Sequence, residues 1–286
     1  MIPRANLTSW GQVVPWSEPH QIEQDLIISR AIIAIFSDPM LSAELRFRGG
    51  TALNKLHFPI PLRYSEDIDL VRTTAGPIKP LLEGLRRVLE PWLGAAAFDH
   101  SPVAPKLRFR VPADDGRVQI RLKVEINAWE ITAYDPPLAL SFRVRNPWFT
   151  GEAQVPTFSR EEMMATKLRA LLQRNKGRDL FDLAHAVDVF NGLDAARVID
   201  CFILYLQRAK LQVSRAEAES RMFSKLANPA FLTDMRPLLP ADQAERLNEA
   251  STKAAFAKVF THLIVRIPGE AWAKTEAMKQ RFALLS

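Results

Sequence analysis

The sequence predicts a two-part α/β (α+β) protein: a mixed α/β first half, residues 1–155, and a helical second half, residues 156–286. Three observations carry this prediction. Residues 45–48, 65–71, 106–111 and 117–127 alternate apolar with polar side chains, the period of half-buried strands. Between them, residues 21–36 and 78–93 repeat apolar residues at helical spacing. From Ser159 onward strand patterning gives way to helical patterning, with the boundary expected near 150–158.

The elements follow in order. Ile22, Leu26, Ile27, Ala31 and Ile32 make residues 21–36 an amphipathic helix. The short strand 45–48 runs into Gly49-Gly50-Thr51 and a helix-compatible stretch, 52–57, before Pro59 and Pro61 punctuate a loop. In 65–71, Ile68 and Leu70 alternate with Asp67 and Asp69. Gly76-Pro77 precedes the helix 78–93. Strands 106–111 and 117–127 flank Asp115-Gly116, a hairpin signal. In the second of them Val118, Ile120, Leu122, Val124 and Ile126 form one face, and Arg117, Gln119, Arg121, Lys123 and Glu125 the other.

Pro136-Pro137 and Pro147 mark a stretch expected to be irregular. Ser159 with Glu162 reads as a capping box opening the first C-terminal helix. Further helices are expected over 179–190, 195–210, 214–226, 241–267 with a possible break, and 271–285.

Composition excludes several classes. Of 286 residues 48% are hydrophobic and only 11 are glycine, which rules out a disordered or collagen-like chain. The single cysteine, Cys201, excludes an intramolecular disulfide and a cysteine-rich zinc module; in its apolar helix it is expected in the core. No apolar run reaches the roughly 18 residues of a membrane span, and residues 1–16 lack the basic start and apolar stretch of a secretory signal. A cytoplasmic protein with no membrane association is therefore expected. The net charge of +6 favours an anionic partner.

The chemistry-bearing residues cluster. Asp67 and Asp69 stand two apart on a strand, so both carboxylates share a face and can share a divalent cation. Magnesium is bound through one or two carboxylates together with substrate phosphates. Gly49, Gly50 and Thr51 sit where a strand turns into a helix, offering close approach and free N–H donors to a phosphate. Strand 117–127 can lie beside 65–71 and bring Glu125 to the same cluster. Three adjacent carboxylates repel unless a cation neutralises them. Arg63 and Ser65 either bind phosphate or order the loop. Basic residues alternate at Lys106, Arg108 and Arg110 and at Arg121 and Lys123, a face suited to a polyanion if the strands pair. Phe109, Trp129, Trp148 and Phe149 either stack on bases or fill cores.

Phe-Arg-Gly-Gly-Thr-Ala-Leu followed by Arg-Tyr-Ser-Glu-Asp-Ile-Asp-Leu resembles the AbiEii/AbiGii family, the nucleotidyltransferase toxins of type IV toxin–antitoxin systems that include the MenT toxins. That family lies within the DNA polymerase β-like nucleotidyltransferase superfamily. Lys167-Leu-Arg-Ala-Leu and Arg178-Asp179-Leu-Phe-Asp182-Leu are similar to its later motifs, so the resemblance spans residues 46–185. It implies a nucleotidyltransferase fold on a small mixed sheet, with a helical domain completing the active-site cleft. It also implies transfer of a nucleoside monophosphate from a nucleoside triphosphate to an RNA acceptor, which for the MenT relatives is the 3′ end of transfer RNA, blocking translation. Under it, Gly49, Gly50 and Thr51 hold triphosphate, and Asp67 and Asp69 bind Mg²⁺. Glu125 serves as third ligand, where the superfamily more often has Asp. Lys167 contacts phosphate and Asp182 orients it, and a separately encoded antitoxin is the partner.

Taken without the resemblance, Lys167 reads as a snorkelling lysine, Asp179 as a helix cap, and Arg178 with Asp182 as a local ion pair. Two other functions stay open: the same chemistry on a protein or aminoglycoside-like hydroxyl, and a nucleotide-binding regulator that has lost catalysis.

Overall fold

The computed structural model describes residues 2–114, 116, 118–232 and 234–284. Three predicted positions, Asp115 of the Asp-Gly turn, Arg117 at a strand start and Leu285 at a helix end, lie outside them. The chain divides into two compact units, Met1–Ser159 and Arg160–Ser286.

The first unit opens with a short helix, α1 (Arg4–Trp10), and then α2 (Pro19–Phe36). Leu26, Ile28, Ala31, Ile32 and Ile35 of α2 are fully buried, and apolar residues occur around most of its circumference. A helix of that kind belongs in an interior, and α2 packs against the sheet. Asp38 caps α3 (Pro39–Glu44), accepting from the backbone N–H groups of Met40 and Leu41. The strand β1 (Leu45–Arg48) leads directly into α4 (Gly49–Ala52), and a π-helical turn, Leu53–His57, prolongs it. After β2 (Asp67–Arg72), α5 (Lys79–Leu93) buries Leu81, Leu85, Leu89 and Leu93 along one face.

The remaining strands are β3 (Ala97–Asp99), β4 (Lys106–Pro112), β5 (Gln119–Asn127), β6 (Leu138–Asn146) and β7 (Phe149–Thr157). Together they make a seven-stranded mixed sheet in the order β3-β4-β5-β2-β1-β7-β6. β1 and β2 are antiparallel, whereas β2–β5 and β1–β7 are parallel. This order sets β2 at the centre with β5 and β1 on either side.

Expectations for this unit need correction in two places. The irregular stretch expected around Pro136-Pro137 and Pro147 is the β6–β7 hairpin. Its prolines stand mainly outside the strands, and Asn146 turns the chain by accepting from the Trp148 N–H at 2.9 Å. Val118, assigned to the apolar face of a strand, precedes β5 and is 47% exposed.

The second unit is helical: α6 (Arg160–Gln173), α7 (Gly177–Val189), α8 (Ala195–Arg208), α9 (Arg215–Leu226), α10 (Ala241–Arg246), α11 (Glu249–His262) and α12 (Thr275–Arg281). Ser214 caps α9 through the Glu217 N–H. The break within 241–267 falls at Asn248, which forms a capping box with Ser251 and starts α11 afresh. Glu162, expected to close a capping box with Ser159, is buried and accepts a hydrogen bond from the Tyr205 hydroxyl at 2.7 Å. Phe223 anchors this core, with ring centroids of Phe256 and Phe260 at 5.2 and 5.5 Å. Cys201 is buried there too. Among the described residues no helix is long and apolar enough to cross a membrane.

Candidate active site

The parallel pairing of β2 with β5 sets Asp67 opposite Lys123 and Asp69 opposite Glu125. Because side chains alternate along a strand, all four project from one face of the sheet. The Lys123 ammonium stands between the strands, 2.9 Å from Asp67 Oδ2 and 3.2 Å from Glu125 Oε2. Lys106, opposite Glu125 on β4, places its Nζ 3.6 Å from the same Oε2. Glu125 thus stands on the same face as Asp67 and Asp69.

Asp69 lies on the other side, against the β1–α4 corner. Arg48 is its register partner on β1, and Gly49 follows with φ +87°, a left-handed conformation that glycine adopts without steric cost. A Cβ on Gly49 would stand 2.3 Å from Asp69 Oδ2. Burial in this corner pushes the Asp69 carboxyl above the usual carboxylate range. The Asp67 charge adds to the rise, and Lys123 opposes it.

Thr51 and Ser65 tie the glycine corner to β2. The buried Thr51 hydroxyl donates to the Asp67 carbonyl and lies 2.6 Å from the Ser65 hydroxyl. Arg63 is buried and donates to the Tyr64 carbonyl at 3.0 Å. Asn54 orders the Pro59/Pro61 loop, its Oδ1 accepting from the N–H groups of Leu62 (2.8 Å) and Arg63 (3.2 Å). Lys55, on the π-helical turn, is fastened to Asp25 of α2 at 2.6 Å. The Gly49–Thr51 corner is therefore held from both sides.

In the helical unit, Lys167 on α6 is buried, with its Nζ 2.7 Å from Asp182 Oδ2 and 3.2 Å from Asp179 Oδ1. It is no snorkelling lysine. Asp179, read as a helix cap, is also fully buried, and Arg174 grips it through Nε at 2.6 Å and through a second nitrogen at 2.8 Å. Burial raises the Asp179 pKa, but Lys167 and Arg174 outweigh it and hold the carboxyl below the usual range. A buried ammonium with two acidic partners is costly to assemble and is held in one place.

The basic ladder also forms. β4 and β5 pair so that Arg108 faces Lys123 and Arg110 faces Arg121, on the face that carries Glu125. Of the aromatic residues considered, Phe109 is core, and Trp148 and Phe149 flank the Arg30 guanidinium at 4.6 and 5.2 Å from their ring centroids. Trp129 differs: it is 59% exposed, just beyond β5, where Asn127 Oδ1 fixes its N–H at 3.0 Å.

Two participants escaped the sequence reading. Lys123 was legible only as one rung of the basic ladder, because its place beside Asp67 depends on the β2–β5 register. Arg48 bonds Glu130 at 2.9 Å, joining the residue before Gly49 to the loop after β5. No spacing links those two positions.

The donor set suits a hard divalent cation, since it consists of carboxylate oxygens. Among the described residues no three His, Cys, Asp or Glu side chains stand in metal-holding geometry. A positive charge nonetheless already bridges Asp67 and Glu125, in the form of the Lys123 ammonium. The residues therefore fit a cation at this place.

A search of curated proteins gives no match. Among solved structures the chain is similar to MenT4, the nucleotidyltransferase toxin Rv2826c from Mycobacterium tuberculosis H37Rv. The TM-score is 0.62 at 16% identity, covering 100% of this chain and 99% of that one. It is also similar to JHP933 from Helicobacter pylori, with a TM-score of 0.52 at 18% identity, covering 94% of this chain and 98% of that one. At such identities the likeness is one of fold. Sequence carries the stronger statement, because the profile of the nucleotidyl transferase AbiEii toxin, type IV toxin–antitoxin system, matches residues 30–261. The chain therefore belongs to the AbiEii family of nucleotidyltransferase toxins.

Proposed function

We propose that this protein transfers a nucleoside monophosphate from a nucleoside triphosphate to the 3′ end of RNA, with transfer RNA as acceptor, in a Mg²⁺-dependent reaction. The observation that carries the reading is the shared face of Asp67, Asp69 and Glu125, set against the Gly49 corner. In this reading Asp67, Asp69 and Glu125 hold Mg²⁺. Bound there, it would neutralise the triphosphate and polarise the attacking hydroxyl. Gly49, Gly50 and Thr51 receive the triphosphate through backbone N–H groups. Ser65 and Arg63 order the loop rather than touch phosphate, since both are engaged with neighbouring atoms of unit one.

The 3′-hydroxyl oxygen forms a bond to the α-phosphorus while the bond to the pyrophosphate oxygen breaks. Asp69 is the better acceptor for the hydroxyl proton. Its burial and the neighbouring Asp67 charge push the carboxyl above the usual carboxylate range, which favours uptake of that proton. Lys167, oriented by Asp182 and Asp179, is assigned to contact phosphate in this reading. Modified transfer RNA would no longer accept an amino acid, halting translation until a cognate antitoxin intervenes. A cytoplasmic site of action belongs to the same reading.

The test is direct. Purified protein is incubated with Mg²⁺, total transfer RNA and each α-labelled nucleoside triphosphate in turn, and the products are resolved on a denaturing gel. Label in the transfer RNA band, lost in Asp67→Ala and Asp69→Ala, is the expected result. Label that appears instead in a protein or small-molecule fraction would move the acceptor. Undiminished transfer in both variants would remove the carboxylates from the reaction.

A further inference from the structure

We propose that Lys123 is a resident counter-ion of the carboxylate cluster, holding the place of the divalent cation until that cation displaces it. The inference rests on the metal reading above and concerns what the site does before loading. Asp67, Asp69 and Glu125 emerge side by side from neighbouring strands, an arrangement of like charges that repel one another unless positive charge stands nearby. Lys123 supplies that charge from within. Its Nζ lies 2.9 Å from Asp67 Oδ2 and 3.2 Å from Glu125 Oε2, bridging β2 and β5 where a shared cation would bridge them.

The surrounding cations are placed differently. Arg108, the register partner of Lys123, turns to Asp99 at 2.7 Å. Lys106 touches only the Glu125 end, at 3.6 Å. Lys123 is thus the cation that spans the cluster, and Lys106 remains on Glu125 once Lys123 leaves. A lysine suits this part, because its ammonium is a compact charge on a flexible four-carbon stem and can swing away without disturbing the strand. An arginine at the same point would hold its carboxylates in a fixed fork.

The consequence is a competition. Free divalent ion must displace an ammonium that is already well placed, so its affinity for the empty enzyme is held down, and the cluster stays neutralised when no metal is present. A divalent ion arriving with a triphosphate brings anionic oxygens to which the released ammonium can turn. Loading is thereby favoured with nucleotide over loading without it.

The experiment titrates Mn²⁺ alone into the full chain, reading free Mn²⁺ by electron paramagnetic resonance, for the wild type, Lys123→Met, Lys123→Gln and Asp67→Ala. Thermal melting is followed in parallel. Both Lys123 variants should bind Mn²⁺ about tenfold or more tightly than the wild type, as expected when a competing unit charge is removed from a half-buried site. Without metal they should melt lower than the wild type, and Mn²⁺ should restore them. Lys123→Gln keeps a polar side chain in case Lys123→Met fails to fold. If the wild type binds Mn²⁺ through Asp67 and neither Lys123 variant binds it more tightly, the counter-ion proposal falls alone. If no variant and no wild type binds Mn²⁺, with or without nucleoside triphosphate, the metal reading falls with it.

Discussion

The carboxylate of Asp69 occupies the space that a side chain on Gly49 would need: a Cβ there would meet Oδ2 at 2.3 Å and the Asp69 Cβ at 3.1 Å. The two residues define the corner of the candidate site. Gly49→Ala would combine that collision with a left-handed backbone, itself costing about 1–2 kcal/mol for a residue with a side chain. Pushing Asp69 aside by a fraction of an ångström to an ångström should cost roughly 100-fold in nucleotide incorporation. A Gly49→Ala protein with wild-type melting and wild-type incorporation would show that the corner is not built as described.

Lys167 makes a separate prediction about stability. Its ammonium and the Asp179 and Asp182 carboxylates are all buried. Asp182→Ala takes away the nearer of its two acidic partners and should cost about 3–5 kcal/mol, the range for breaking a buried pair from one side. In Lys167→Met, Asp179 still keeps Arg174. The double variant Lys167→Met/Asp182→Ala should be more stable than the two single losses added together. Urea unfolding of the four proteins gives the coupling, and strict additivity would argue against a buried pair.

Asp25 is the hub between the N-terminal segment and the glycine corner. Its two oxygens accept from the indole N–H groups of Trp10 and Trp16, each at 2.9 Å, and Lys55 sits 2.6 Å away. Asp25→Ala would leave two buried indoles and a largely buried ammonium short of an acceptor. A loss of about 3–5 kcal/mol is expected, with a shift in tryptophan emission before global unfolding. Since Lys55 follows Gly49–Thr51 by one turn, incorporation should fall too. An unchanged emission spectrum and unchanged unfolding midpoint would contradict this account.

Acid should loosen the C-terminal end of the helical unit through Glu219. Burial raises its pKa, but hydrogen bonds from the Thr275 hydroxyl, Arg215 and the Trp272 N–H outweigh burial and hold it below its ordinary 4.5. A carboxyl whose folded pKa is depressed contributes stability in full above its unfolded pKa. That contribution is lost as pH falls through the folded value. Between pH 7 and 3 the wild type should therefore lose more unfolding free energy than Glu219→Gln, whose side chain keeps the shape without the titration. Parallel pH profiles for the two proteins would remove Glu219 from the acid response.

Much of this molecule was legible in its sequence because local patterns decided it. Alternation marked β4 and β5, and apolar periodicity marked α2 and α5. The spacing of Asp67 and Asp69 put two carboxylates on one face whatever the rest of the chain did, and Gly49-Gly50-Thr51 announced a strand-to-helix corner. The β6–β7 hairpin was missed because its flanking prolines signal irregular chain more loudly than a half-exposed strand signals itself.

What tertiary structure alone decided is register and burial. Whether Lys123 joins a basic ladder or bridges Asp67 and Glu125 depends on a parallel pairing of strands about 50 residues apart in sequence, which no local rule specifies. Whether Lys167 reaches solvent or lies enclosed between Asp179 and Asp182 depends on how α6 packs on α7. A side chain's chemical type is written in the sequence, but its charge partners and its desolvation are set by residues that only the folded chain brings within a few ångströms.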